Sequence, residues 1–209
     1  RWCPRMRLLD GHRRSTRWWR YERSSGSVKK EMTAALPAGF VLIPEFLTID
    51  EEACLQDFIK GLDFREFQMR GVTAKRRVLQ FGWHYSFESF ELTPAAPMPG
   101  IFSFVRERAA SVAAIPPEDF SEVLVTEYRP GAGIGCYRDA LPFGIVAGVS
   151  LAGKCRIRFQ RGAGTERQIA AIELQPRSMY LLTGDARTKW EHTIPATKEL
   201  RYSITFRTL

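Results

Sequence analysis

The chain has 209 residues, 44% of them apolar and 26% charged, enough for one domain with a buried core and ordinary for a globular protein. No apolar run nears the roughly 20 residues that a membrane-spanning helix needs, and the first residues contain no apolar signal core, so the expected compartment is the cytoplasm. The formal net charge of +8 is unevenly placed: residues 1–31 hold ten Lys and Arg against three Asp and Glu, while the remainder holds 21 against 20. Bulk charge outside the first 31 residues is therefore weak support for a polyanion partner.

Residues 1–31 show neither a helical nor a strand period and are rich in Arg, Trp and Ser. Three readings stand: a disordered basic arm with Trp18 and Trp19 stacking on bases, an Arg-rich organelle presequence, or read-through ahead of a natural start at Met32. A tail over 1–31 and a domain over 32–209 is the expected division. Cys3, Cys54, Cys136 and Cys155 are widely spaced without a C-x-x-C pattern, which points to free thiols rather than a zinc site or a disulfide framework.

Phe40–Ile43 reads as a short buried strand. Thr48 or Asp50 caps a helix with Glu51 and Glu52 in its first turn; Leu55, Phe58, Ile59 and Leu62 keep its 3.6 period, and Gly61 lies near its end. Residues 64–69 are extended. Lys75, Arg76 and Arg77 form a basic run, followed by an aromatic-rich segment over 78–90 that holds Phe81, Trp83, His84 and Tyr85. Pro94, Pro97 and Pro99 mark a loop, and residues 101–114 a second helix closed by Pro116 and Pro117.

Residues 122–151 read as strand, glycine-rich turn, short polar piece and second strand. Tyr137 and Asp139, two apart, would face the same way in an extended chain, with Cys136 opposite. The glycine run 131–135 is no phosphate loop, because no helix follows it. Short strands are then expected over 155–160, 168–174, 178–183, 190–194 and 201–208, a succession that suggests a sandwich or barrel. In the last strand Arg201, Ser203, Thr205 and Arg207 share one face, and Tyr202, Ile204 and Phe206 the other. The polar face either meets water or lines a barrel. In the second case two buried arginines need anionic partners, and a dicarboxylate meets that need through the guanidinium fork.

Tyr137-Arg138-Asp139, Trp190-Glu191-His192, the run Arg201–Arg207 and Pro142–Ile145 together resemble the AlkB-like dioxygenases over residues 37–209. The resemblance implies an all-β core with flanking helices, a double-stranded β-helix or jelly roll of the 2-oxoglutarate oxygenase type. It implies Fe(II) as cofactor and 2-oxoglutarate as cosubstrate. Asp139 and His192 match two iron ligands and catalytic positions, and Tyr137 stands where the family pattern has its first histidine. Arg201 matches the arginine that pairs with the distal carboxylate of 2-oxoglutarate, Arg207 the second arginine of the run, and Tyr128 a tyrosine that reaches the cosubstrate; Ser203 and Thr126 take positions held by asparagine in some members. Arg76, Arg77, Phe81, Trp83 and Tyr85 match a hairpin lid over the nucleotide site, although the same aromatics would also serve as core.

The implied activity is oxidative demethylation of alkylated bases in DNA or RNA by a monomer, with Tyr137 bearing on iron binding. Two other readings remain: a binding module of the same fold without full turnover, and an oxygenase acting on a small molecule or a protein side chain.

Overall fold

The computed structural model describes residues 35–69, 72–86 and 89–209; the expected tail over 1–31 lies outside them. Strand β1 (Phe40–Ile43) leads to helix α1 (Ile49–Lys60), then to strands β2 (Arg65–Met69), β3 (Val72–Phe81), β4 (Trp83–Tyr85) and β5 (Leu92–Pro94). Helix α2 (Ser103–Ala113) follows, then β6 (Phe120–Tyr128), β7 (Ile134–Tyr137), β8 (Val146–Ala152), β9 (Cys155–Arg161), β10 (Gln168–Leu174) and β11 (Met179–Leu182). A short helix α3 (Gly184–Thr188) precedes β12 (Glu191–Ile194) and β13 (Arg201–Thr208).

Seven strands make one sheet in the order β1-β11-β8-β13-β6-β3-β2, and four make another in the order β10-β9-β12-β7. From β6 onward the chain crosses between these sheets at every step except the β9–β10 hairpin, and the ladders are antiparallel, the jelly-roll arrangement expected from the succession of short strands. Two apolar clusters hold it. Leu55 and Ile59 of α1 and Val105, Ala109 and Ala110 of α2 pack on the outer face of the large sheet against Val123, Val125, Val149, Ile204 and Phe206. Between the sheets, Val146, Tyr180 and Leu182 meet Ile157, Phe159, Leu174 and Ile194.

Local chemistry fixes the ends of α1. Thr48 is its cap: the Thr48 hydroxyl accepts from the Glu51 N–H at 3.2 Å, and the Glu51 carboxylate accepts from the Thr48 N–H at 2.9 Å, a reciprocal capping box. Gly61 closes the helix. Helix α2 starts after a 3-10 turn over Gly100–Phe102 and ends at Ala114, whose φ of 55° breaks the helix two residues before Pro116. Helix α3 was not foreseen, being a single turn without an apolar period. Strand β1 is an edge strand and only part-buried, with Val41 exposed. The described cysteines, Cys54, Cys136 and Cys155, are free thiols.

Candidate active site

Strand β13 supplies the inner wall. Arg201, Ser203, Thr205 and Arg207 are all buried. Tyr202, Ile204 and Phe206 belong to the helix-side core. By the two-residue alternation of a strand, the polar face therefore points between the sheets. Across the ladders Arg201 lies opposite Tyr128 and Ala152, Ser203 opposite Thr126 and Ser150, and Arg207 opposite Glu122 and Val146. A row of polar side chains thus lies inside the barrel, where each group needs a partner.

Arg207 has its partners. Its Nε and Nη2 donate to Asp139 Oδ1 at 3.0 and 2.9 Å, and its Nη1 reaches both oxygens of Glu122 at 3.0 and 3.2 Å. Phe143 lies 5.0 Å from the same guanidinium. Burial alone would raise the Asp139 pKa, but Arg207 first, then His192 and Arg187, hold it below the ordinary carboxylate range. At Glu122 burial outweighs Arg207 and pushes the pKa up, with the Asp139 carboxylate acting in the same direction. Burial likewise lowers the His192 pKa and keeps the imidazole neutral, the form that binds metals.

Among the described residues Asp139 Oδ2 is left buried without a hydrogen-bond partner, 3.7 Å from His192 Nε2. A carboxylate oxygen and a neutral imidazole nitrogen so placed fit a divalent metal ion between them. Tyr137 and His192 are cross-strand neighbours of β7 and β12, with rings 4.3 Å apart. Tyr137 ends its strand and Asp139 lies just past it, so convergence comes from the turn of the chain toward β12 rather than from a shared strand face. Burial, and behind it the Asp139 carboxylate, push the Tyr137 phenol well above its ordinary pKa. It offers the site a neutral hydroxyl oxygen where an imidazole would offer a ring nitrogen, the commoner metal donor. Among the described residues no three His, Cys, Asp or Glu side chains form a metal cluster; a metal held here would have Asp139 and His192 as such ligands, with the Tyr137 phenol beside them.

The other end of the cavity is cationic. Arg201 is fully buried, and its Nε donates to Ser150 Oγ at 3.0 Å. Its Nη1 and Nη2 have no hydrogen-bond partner among the described residues, while its face lies 4.9 Å over the Tyr128 ring. A buried guanidinium with two idle donors carries a large desolvation cost, and a carboxylate taken into the fork would remove it. The residues present thus fit both an iron ion at Asp139–His192 and a carboxylate cosubstrate at Arg201. Ser203 and Thr205 hydroxyls stand 3.3 Å apart on the strand between the two arginines.

The expected lid divides by face. Strand β3 pairs with β6 on its way past the site. Arg77 falls on the outer face, where it forms a two-point ion pair with Glu127 at 2.7 and 3.0 Å. Phe81 is buried in the helix-side core, 6.2 Å from Phe102. By strand alternation these two residues lie on the helix-side face of the sheet, opposite the face that carries Arg76. Arg76, on the opposite face, is close enough to Tyr128, Tyr137 and Arg207 to feel their charge, and burial lowers its pKa. Strands β4 and β5 form a separate ladder. There Trp83 is half-buried, His84 is exposed, and Tyr85 is buried against Phe143 at 5.9 Å.

Residues beyond the expected set complete the site. Arg187 of α3 donates through Nη2 to the carbonyls of Ala140 and Phe143, which bracket the turn after Asp139. Arg138 returns a hydrogen bond to the Thr188 carbonyl at 3.1 Å. The turn after Asp139 and the helix ahead of His192 are thereby strapped together. Glu122 could have been found from its spacing, since it lies six residues before Tyr128 on the same strand face.

A jelly roll whose interior carries Asp139 and His192 beside the buried Arg201 fork has the fold of the 2-oxoglutarate oxygenases. The model for the 2OG-Fe(II) oxygenase superfamily matches residues 39–207, and the chain belongs to that superfamily, with AlkB-like relatives. It is 28% identical over 181 residues to a protein of Arabidopsis thaliana named "Alkylated DNA repair protein ALKBH8 homolog", covering 75% of this chain and 51% of that one. It is 28% identical to "Uncharacterized protein L905" of Acanthamoeba polyphaga mimivirus, covering 81% and 84%. A macaque protein (Macaca fascicularis) named "tRNA (carboxymethyluridine(34)-5-O)-methyltransferase ALKBH8" is 27% identical over 78% of this chain and 25% of its own length. The chain thus spans about half of the plant relative and a quarter of the macaque one. The solved structure of OsALKBH1 superposes with a TM-score of 0.68 at 16% identity, covering 85% of this chain and 99% of that one, and shows the shared fold.

Proposed function

We propose that the protein is an Fe(II)- and 2-oxoglutarate-dependent dioxygenase that removes alkyl groups from bases in DNA or RNA, with turnover limited by Tyr137. One observation carries this reading: among the described residues two buried groups between the sheets lack hydrogen-bond partners, Asp139 Oδ2 facing His192 and the Arg201 fork. Their chemistry suits a metal and a carboxylate. When bound, iron with 2-oxoglutarate and O₂ supplies the oxidation, in which the cosubstrate leaves as succinate and CO₂ and an N-methyl group leaves as formaldehyde. Asp139 and His192 would hold the ion. Arg201 and Tyr128 would hold the distal carboxylate, while Arg207 fixes the Asp139 carboxylate and neutralises Glu122. Burial of Asp139, His192 and Arg201 between the two sheets would limit access of water to the reacting atoms. A target base must leave its stack to reach this interior; Arg76, Trp83 and Tyr85 would be the lid residues that meet it. Relatives named for DNA repair and for tRNA modification favour a nucleic acid without choosing between DNA and RNA.

The neutral phenol of Tyr137 favours a second reading, a module that binds the dicarboxylate with little turnover. A panel of methylated DNA and RNA oligonucleotides tests the first reading. It expects formaldehyde in step with succinate from at least one of them. Succinate formed without formaldehyde from any nucleic acid would move the substrate to another class.

A further inference from the structure

The small sheet buries one face and turns the other outward. Ile157 and Phe159 of β9 and Ala170 and Leu174 of β10 pack between the sheets. Strand alternation therefore points Arg156, Arg158 and Gln160 of β9, Glu173 of β10 and Glu191 of β12 the other way. Arg156 and Glu173 are exposed, and Arg158, Gln160 and Glu191 are half-buried. Helices α1 and α2 lie on the large sheet.

The outward face is unevenly charged. Arg167 of the β9–β10 hairpin donates to the side-chain oxygen of Gln160, which sets it over this face. Arg138, directly after β7, is exposed. Lys154 Nζ stands 3.6 Å from Glu173 Oε1, and Glu173 lies across the ladder from Arg156. Arg138, Lys154, Arg156, Arg158 and Arg167 thus stand against Glu173 and Glu191, with Glu166 in the hairpin turn. Residues 32–209 hold 21 Lys and Arg against 20 Asp and Glu, so the excess of cations is local to this face. Glu191 accepts from Gln160 Nε2 at 2.9 Å and from Cys136 Sγ at 3.5 Å, contacts that tie its charge into the sheet. A sheet face that only meets water gains from opposite charges across its ladders. A row of arginines suits a polyanion, since the guanidinium fork matches phosphate oxygens.

The row also leads to the site. His192 lies across from Tyr137 on one side and Phe159 on the other; Gln160 and Glu191 are one step further, at the end of the sheet where Asp139 follows β7. Arg138 and Arg167 stand at that end. From there Arg158 and Arg156 run back along β9, about 6.6 Å apart by strand rise.

We propose that the outer face of the small sheet is a contact surface for the backbone of a nucleic-acid strand: Arg156 and Arg158 hold phosphates of the strand whose target base enters between the sheets, and Arg138 and Arg167 hold those nearest the entering nucleotide. The assignment rests on the reading of a nucleic-acid substrate. Its contacts are to phosphate, so they supply affinity without sequence preference.

Fluorescence anisotropy of a labelled, unmethylated single-stranded DNA of mixed sequence, titrated with the full chain over a range of salt concentrations, tests the proposal. Arg156→Gln/Arg158→Gln is expected to flatten the slope of log affinity against log salt by about 1.4, at about 0.7 for each lost phosphate contact; affinity at 0.1 M salt then falls roughly 25-fold if the two lines meet at 1 M. Lys60→Gln, on α1, should keep the native slope. Residues 1–31 are common to every variant, so their ten Lys and Arg cancel in the comparison. A native slope and affinity in the double variant would overturn the proposal while leaving the nucleic-acid reading in place. If the native chain binds no DNA even at low salt, the surface and that reading fail together, an outcome distinct from the first. Circular dichroism of the double variant, whose substitutions are at an exposed and a half-buried position, verifies that the fold is intact.

Discussion

Arg207 grips Asp139 on one side only. Both contacts, at 3.0 and 2.9 Å, fall on Oδ1, and Oδ2 is left facing His192. One arginine thus aims a carboxylate and cancels the buried charge of Glu122. Removing one partner of such a buried set strands the others, at a cost of about 3–5 kcal/mol. Arg207→Ala should lose stability on that scale in urea denaturation, whereas Glu122→Gln, which keeps shape and one acceptor, should lose clearly less. Equal losses would show that charge pairing is not what Arg207 contributes.

Arg201 predicts the opposite behaviour. Its two idle nitrogens make it a burden on the free protein. Arg201→Met should leave the melting temperature of the ligand-free chain unchanged or raised, and 2-oxoglutarate should no longer raise it further. The lost two-point contact is worth on the order of 3 kcal/mol, roughly a hundredfold in affinity. Native-like affinity in Arg201→Met would remove Arg201 from the cosubstrate site.

Arg187 acts through the backbone of the turn that follows Asp139. Arg187→Gln should speed amide exchange over residues 140–145. It should weaken Mn(II) binding about tenfold, a loss of the order seen when outer partners of metal ligands are removed, and spare the Arg201 end. Unchanged exchange in that segment would contradict the strap.

Phe81 separates core from lid. It is buried against Phe102, so Phe81→Ala should cost about 3–5 kcal/mol of stability. Trp83→Ala, at a half-buried position, should cost less and act mainly on nucleic-acid affinity. A stable Phe81→Ala chain with weakened nucleic-acid binding would restore Phe81 to the lid.

The Glu51–Arg108 pair gives a pH dependence remote from the site. The Glu51 carboxyl is lowered to about 2, first by the Arg108 hydrogen bond and then by the Thr48 backbone. A folded-state pKa below the unfolded one contributes stability that is present above about pH 4.5 and lost as pH falls toward 2. The pair is largely exposed, with Arg108 at 41% and Glu51 at 27%, so screening leaves ~1 kcal/mol. Arg108→Gln should be less stable at pH 7 by about that amount, and the difference from the native chain should shrink through this window.

Much of this was legible in the chain because periodicity reports burial. The alternation of Arg201–Arg207 marks a strand with one polar and one apolar face but leaves open whether the polar face meets water, which its burial between the sheets decides; the Leu55–Ile59 spacing marks the helix on the sheet. Sequence spacing could not say which way Arg76 and Arg77 point, because that depends on the register of β3 against β6. Nor could it see Arg187 reach back to Ala140 and Phe143. Those contacts exist only once the ladders are set. Tyr137 was visible as a departure from a pattern, but its protonated state follows from burial and from Asp139.

The central claim is most directly tested by succinate release from 2-oxoglutarate, measured with Fe(II) and a 1-methyladenine oligonucleotide for the native chain beside Tyr137→His. The account predicts slow succinate and formaldehyde release by the native chain and release at least tenfold faster by the histidine variant, about 1.4 kcal/mol of barrier. Absence of both products from both proteins would contradict it.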